Sequence, residues 1–201
     1  MIQRESIEWC EMYWYATEHP ELPRVLLVGD SIVVGERERL ANILAGQVTV
    51  GGFSTSKIVG DPALFRELDF VLSDYPPNLI VFNNGLHQLK CDDDFYRRGL
   101  EMTLDYFEER IPVRILWRNT TPVSLVGHPE ILDEKLNAVV LRRNAIAEEI
   151  MARRGIPVID LYTPMAAHPE YGKGDSCHYK PEGYLAQAEI LKPIILSHLK
   201  R

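Results

Sequence analysis

Cysteine is scarce in this chain, with three in 201 residues: Cys10, Cys91 and Cys177. An odd, widely spaced set excludes a disulfide framework and fits a reducing compartment. Cys and His spacing of the kind that holds a metal is absent, so neither a metal nor an organic cofactor is expected. Basic residues are outnumbered, 22 Lys and Arg against 29 Asp and Glu, for a net charge of −7. That balance disfavours nucleic acid, whose phosphates need a basic surface. No long apolar run occurs. After Met1-Ile2-Gln3-Arg4-Glu5-Ser6 the chain is interrupted by Glu8, Glu11 and Glu18, which excludes a signal peptide or membrane span there. A cytoplasmic protein is the simplest expectation. Internal repeats and low-complexity stretches are also missing.

What is present is the pattern of a globular α/β protein. Hydrophobic residues make up 46% of the chain, enough to bury a sizeable core in one compact domain. Residues 5–19 carry Ile7, Trp9, Cys10, Tyr13, Trp14 and Tyr15 and are expected as a helix, ended by His19-Pro20 and Pro23. Residues 1–23 then form a helical extension that packs on a main domain of residues 24–201; its aromatics also leave a homodimer contact open. From Val25 onward short apolar runs alternate with amphipathic stretches. Strands are expected at Val25–Val28, Gln47–Val50, Leu79–Phe82, Pro112–Trp117 and Pro157–Leu161. Helices are expected at Val33–Ala45, Pro62–Ser73, Asp92–Arg110, Leu132–Arg154 and Pro181–Leu199. Five apolar strands separated by helices make a five-stranded parallel sheet with helices on both faces, a three-layer α/β/α sandwich.

Two short motifs fall on the carboxyl edge of that sheet, where open α/β proteins bind ligands. Gly29-Asp30-Ser31 follows the first strand, and Asp175-Ser176-Cys177-His178 follows the fifth. A serine hydroxyl needs a base within hydrogen-bond reach to become a nucleophile. His178 suits that task, because a free imidazole titrates near ~6.5 and both takes and returns a proton near neutrality. Asp175, three residues earlier, emerges from the same turn and is placed to fix the imidazole through Nδ1. Asp30 reads as a structural residue that bonds local backbone, and Cys177 as a small filler beside His178. Arg118, Thr120 and Thr121 follow the fourth strand on the same edge and are candidate substrate contacts. His87 reads equally as pocket lining or surface. His128, in the loop Pro122–Glu130, and the pairs Arg142-Arg143 and Arg153-Arg154 read as surface.

These motifs resemble the blocks of the GDSL or SGNH hydrolase family, and the likeness runs in order from about Arg24 to the C-terminus. The first block is Val28-Gly29-Asp30-Ser31-Ile32, the second Val50-Gly51-Gly52-Phe53-Ser54, the third Phe82-Asn83-Asn84-Gly85-Leu86-His87, and the last Asp175-Ser176-Cys177-His178-Tyr179. The third departs from the family's usual Gly-x-Asn-Asp. The resemblance implies a flavodoxin-like strand order, 2-1-3-4-5, and a catalytic triad of Ser31, Asp175 and His178. It also implies an oxyanion hole made by the backbone N–H of Ser31, the backbone N–H of Gly52 and the side-chain amide of Asn83, with Asn84 as the alternative register. The implied activity is hydrolysis of a small acyl ester, acetyl or another short chain, on a partner such as an acylated carbohydrate. An acyltransferase with the same triad and a non-catalytic binding module on the same fold are the rival readings.

Overall fold

Every central strand alternates its side chains between two separate cores. Leu26 and Val28 of one strand, and Ile80 and Phe82 of the next, pack on one face. Val25, Leu27, Leu79 and Val81 pack on the other. A strand covered on both sides carries no polar face, which is why these segments read as continuous apolar runs.

The computed structural model describes residues 4–200. In chain order the elements are β1 (Cys10–Tyr15), β2 (Arg24–Gly29), α1 (Ser31–Ile43), β3 (Thr49–Thr55), α2 (Pro62–Asp74), β4 (Leu79–Phe82), α3 (Asp93–Arg110), β5 (Arg114–Arg118), β6 (Ser124–Leu125), β7 (His128–Leu132), α4 (Glu134–Arg154), β8 (Val158–Ile159), α5 (Tyr162–Ala167), a 3₁₀ turn (Pro169–Tyr171) and α6 (Pro181–Leu199). The main sheet has the order β1-β3-β2-β4-β5-β8. Its five parallel strands keep the expected 2-1-3-4-5 arrangement. Helices α1 and α6 cover one face, and α2, α3 and α4 the other. Aspartate caps set the helix starts: Asp30 accepts from Ile32 N–H, Asp61 from Ala63, Asp92 from Phe95, and Asp133 from Lys135 and Leu136. Each such cap is worth about 1 kcal/mol.

The N-terminal segment departs from expectation. Residues 10–15 are a sixth, antiparallel edge strand on β3, not part of a helix. Its side chains alternate: Met12 and Trp14 pack on one core, while Glu11 and Tyr13 meet Arg37 on the opposite face. That is period two, the signature of a strand. Aromatic residues favour the pleated surface, and the open edge of β3 supplied the partner. The segment before it is tied across the carboxyl edge by side chains. Arg4 Nη2 lies 2.9 Å from Asp61 Oδ1, Glu5 Oε1 lies 2.8 Å from His87 Nδ1, and Glu8 Oε2 lies 2.7 Å from Lys57 Nζ. Residues 10–15 are therefore built into the sheet rather than set beside it in a helical extension. A second departure is the loop after β5, which folds into a small hairpin, β6–β7.

Candidate active site

The site grows from the end of β2. Gly29 closes the strand where a Cβ would lie 2.8 Å from Val33 Cγ2 and 3.2 Å from the Asn83 carbonyl, so only glycine lets the chain turn this tightly. Asp30 is wholly buried and caps α1. Ser31 is thereby the first residue of α1, a position whose backbone N–H has no acceptor inside the helix.

The loop between the 3₁₀ turn and α6 brings the base. Gly174 and Ser176 take positive φ of 88° and 96°, folding Asp175–His178 into a tight turn. The strained Ser176 conformation is held from outside: its carbonyl accepts from Ser124 N–H at 2.8 Å and from Ser124 Oγ–H at 3.2 Å. Gly127 N–H donates to the Gly174 carbonyl at 2.8 Å. The hairpin thus acts as a brace for the histidine loop. Within the loop, Ser31 Oγ stands 2.7 Å from His178 Nε2, and His178 Nδ1 stands 3.0 Å from Asp175 Oδ2. The other carboxylate oxygen, Oδ1, accepts the His178 backbone N–H at 3.0 Å. Partial burial works against the charge on Asp175. The His178 backbone N–H, the adjacent imidazole and Lys173 outweigh it and hold the carboxyl below the ordinary carboxylate range. The arrangement matches one tautomer: Nδ1–H donates to Asp175 and Nε2 accepts from the serine hydroxyl. Cys177 Sγ lies 3.9 Å from His178 Nδ1. Burial, with Asp30 and Asp175 nearby, pushes its thiol up to about 12, so it is not a thiolate nucleophile.

Ser31 and His178 open into a cleft of ≈ 500 Å³ whose walls include Trp9, Glu11, Gly35, Lys173, Tyr179 and Tyr184. Gly35 is small because Tyr184 lies across it; a Cβ there would meet the ring at 2.2 Å. Trp9 and Glu11 come from the N-terminal segment, which the expectation of a docked helix did not place at the site.

Gly52 is not brought to the site. It sits mid-way along β3, paired with Tyr13 on one side and Leu27 on the other, so its backbone belongs to the sheet ladder. β3 runs on to Thr55, five residues past the expected end. The two glycines serve packing: a Cβ on Gly51 would meet the Trp14 ring at 2.7 Å, and one on Gly52 would meet Arg37 Cδ at 2.6 Å. Gly52→Ala is therefore expected to lose about 1–3 kcal/mol of stability through overpacking, with the kcat of the folded protein retained. Thermal melts alongside kinetics check this, and a lost kcat in a fully folded variant would speak for an oxyanion role.

Asn83 is at the carboxyl end of β4, but its amide is spent. It donates to the Arg118 carbonyl at 2.8 Å and to Thr120 Oγ1 at 3.0 Å. Asn84 bridges Lys57 O and Val59 N–H. Of the three expected oxyanion donors, Gly52 and Asn83 are engaged elsewhere, and the Ser31 N–H lies at the first position of α1. Arg118, Thr120 and Thr121 are buried and do not line the cleft. Arg118 pairs with Glu36, and Thr120 is bracketed by Asn144. Arg143 is also buried, not surface. Its guanidinium donates to the carbonyls of Gly85, His87 and Gln88 and so shapes the third-block loop. His87, on that loop, bonds Glu5 and meets the Trp9 ring edge-on at 6.0 Å. His128 is exposed beside Glu130.

No protein-family model and no curated protein matches the sequence. Solved structures match its fold over nearly their whole length. An acetyl xylan esterase superposes with a TM-score of 0.68 at 18% identity, covering 86% of this chain and 99% of that one. A GDSL-like lipase from Bacteroides thetaiotaomicron gives 0.67 at 22%, covering 92% and 96%. A carbohydrate acetylesterase family member from Sinorhizobium meliloti gives 0.69 at 16%, covering 90% and 100%. The chain has the α/β fold of GDSL-type hydrolases. Among the described residues, no helix is long and apolar enough to cross a membrane.

Proposed function

We propose that this protein is a serine esterase that removes small acyl groups, acetyl foremost, from an alcohol such as a carbohydrate hydroxyl. The observation that carries the reading is the unbroken chain from Ser31 Oγ through His178 to Asp175, at 2.7 and 3.0 Å, opening into one cleft. Ser31 Oγ attacks the ester carbonyl as its proton passes to Nε2. Negative charge develops on the carbonyl oxygen at the N-terminus of α1, where the Ser31 N–H and the helix dipole favour it. A donor placed there in advance is worth roughly 3–4 kcal/mol. His178 then protonates the leaving alcohol, and water, activated by the same base, clears the acyl-enzyme. Asp175 holds the tautomer and offsets the imidazolium charge. No step calls on a cofactor.

The cleft supports a carbohydrate alcohol. Trp9, Tyr179 and Tyr184 offer aromatic surface, and Glu11 and Lys173 offer an acceptor and a donor for hydroxyls. The acetyl xylan esterase and the carbohydrate acetylesterase that share the fold point the same way. The three cysteines are unpaired, which fits a reducing, cytoplasmic setting.

The test is labelling with a serine-directed phosphonate, together with acetate release from acetylated xylo-oligosaccharides and from an aryl acetate. Phosphonate on Ser31 and acetate release are the expected results. Acetyl transfer to an added alcohol in preference to water would assign an acyltransferase. An unlabelled Ser31 with no acetate release would make the protein a binding module.

A further inference from the structure

The side chains that orient the base also form a second, different donor set. Asp175, Cys177 and His178 each offer one ligand atom, and the three atoms lie within 4.8 Å of one another. Nδ1 is 3.0 Å from Asp175 Oδ2 and 3.9 Å from Cys177 Sγ. In a tetrahedral zinc site with Zn–N and Zn–O near 2.0 Å and Zn–S near 2.3 Å, neighbouring donors stand roughly 3.3–3.6 Å apart. The two sides at Nδ1 need shifts of a few tenths of an ångström, and the third, sulfur to carboxylate within 4.8 Å, closes by up to about 1.3 Å as the partly exposed Asp175 side chain rotates. Nitrogen, thiol sulfur and carboxylate together are zinc's usual ligands, whereas magnesium and calcium take oxygen. Beside Cys177 and His178 lies a cavity of ≈ 60 Å³, lined also by Ser124 and Glu130, with room for the water that would complete the coordination. Lys173 Nζ, 3.6 Å from Asp175 Oδ2, is on an exposed, flexible side chain that can swing clear.

We propose that Asp175, Cys177 and His178 Nδ1 form an inhibitory site for a thiophilic divalent cation, zinc above all. The mechanism of inhibition follows from the tautomer. A metal on Nδ1 uses the lone pair of that nitrogen, so the ring proton moves to Nε2 and the imidazole stays neutral. The thiol proton leaves to solvent as sulfur binds. Ser31 Oγ then faces an N–H donor where it needs an acceptor, and the base is lost without any change at the serine. Asp175 Oδ2 is drawn from the imidazole to the metal in the same event.

The inhibitory effect rests on the esterase reading, but the site itself does not, and the experiment separates them. Cobalt(II), as a spectroscopic stand-in, is titrated into the wild type, Ser31→Ala and Cys177→Ala, and zinc inhibition of aryl acetate hydrolysis is measured relative to each active protein's own uninhibited rate. The cobalt–thiolate charge-transfer absorption is expected in the wild type and in Ser31→Ala, and absent in Cys177→Ala. Zinc is expected to inhibit the wild type reversibly, with activity restored by a chelator, and the inhibitory concentration for Cys177→Ala is expected to rise at least about tenfold. A thiolate band in a protein with no esterase activity would uphold the site and remove the esterase reading. An active enzyme with no band, or equal zinc sensitivity in Cys177→Ala, would overturn the proposal.

Discussion

Replacing Ser31 or His178 by alanine is expected to lower kcat by about 10⁶-fold, and replacing both should cost little more. The two act through one proton, shared across 2.7 Å. Once the base is gone the hydroxyl is no better than water, and once the hydroxyl is gone the base has no proton to take. Asp175→Asn should cost less, about 10⁴-fold, because an amide at that position still accepts the His178 backbone N–H but carries no charge to offset the imidazolium. The pH profile adds a check that a misfolded variant would not mimic. Asp175 is held below the ordinary carboxylate range, so it stays ionised wherever the imidazole is free to act as base. The acid limb of kcat/KM should therefore fit a single ionisation, with no second proton taken up by the carboxylate. A limb needing two protons would mean that the carboxylate titrates alongside the ring. Additive losses in the double variant would mean that Ser31 and His178 do not act as a unit.

Much of this arrangement is legible in the sequence because it depends on local order. A short apolar run ending in Gly-Asp-Ser fixes where a strand stops and a helix begins, and Asp175 and His178 share one turn. Continuous apolar strands alternating with helices dictate a covered parallel sheet. What was not legible depends on partners distant in the chain. The aromatics of residues 9–15 satisfy a helical and a strand period about equally, and the free edge of β3, some 40 residues later, decided between them. Gly51-Gly52 reads as the second block, with Gly52 lending its N–H to the site, yet here the missing side chains make room for Trp14 and Arg37 from two other elements. Asn83 stands at the strand end that its motif indicates, but Arg118 O at the end of the next strand and Thr120 just past it claim its amide. Arg118 reads as a cleft contact and Arg143 as surface charge because a lone arginine belongs there; each is buried against partners that sequence distance hides.

Arg118 is where that hidden layer bears most on the site, and Arg118→Met is expected to destabilise the fold by about 3–5 kcal/mol. Arg118 Nη1 lies 2.5 Å from Glu36 Oε2, with the two side chains 2% and 0% exposed. Nη2 lies 3.3 Å from where a Gly29 Cβ would be, so the guanidinium sits directly beneath the turn that presents Ser31. Burial raises the Glu36 carboxyl above its ordinary value even with Arg118 opposing, and the buried Asp30 adds to the rise. Removing the cation leaves two buried carboxylates without it, and an uncompensated buried charge is far costlier than the pair was worth. For a chain of this size the loss corresponds to a fall in Tm of about 6–20 °C. The sign of the pH dependence follows from the same carboxyl. An acid whose folded pKa is raised binds its proton more tightly in the native state, so its contribution to stability falls as pH rises from the unfolded value through the folded one. In Arg118→Met the rise is larger still, and the deficit against wild type should narrow as pH falls toward the ordinary glutamate range and Glu36 protonates. Glu36→Gln combined with Arg118→Met should recover much of the loss at neutral pH, since it removes the orphaned charge while keeping the shape. Urea melts of the three proteins across pH decide the matter: a deficit that does not change with pH, and that the double variant does not relieve, would make Arg118 a packing residue whose charge is incidental to the turn above it.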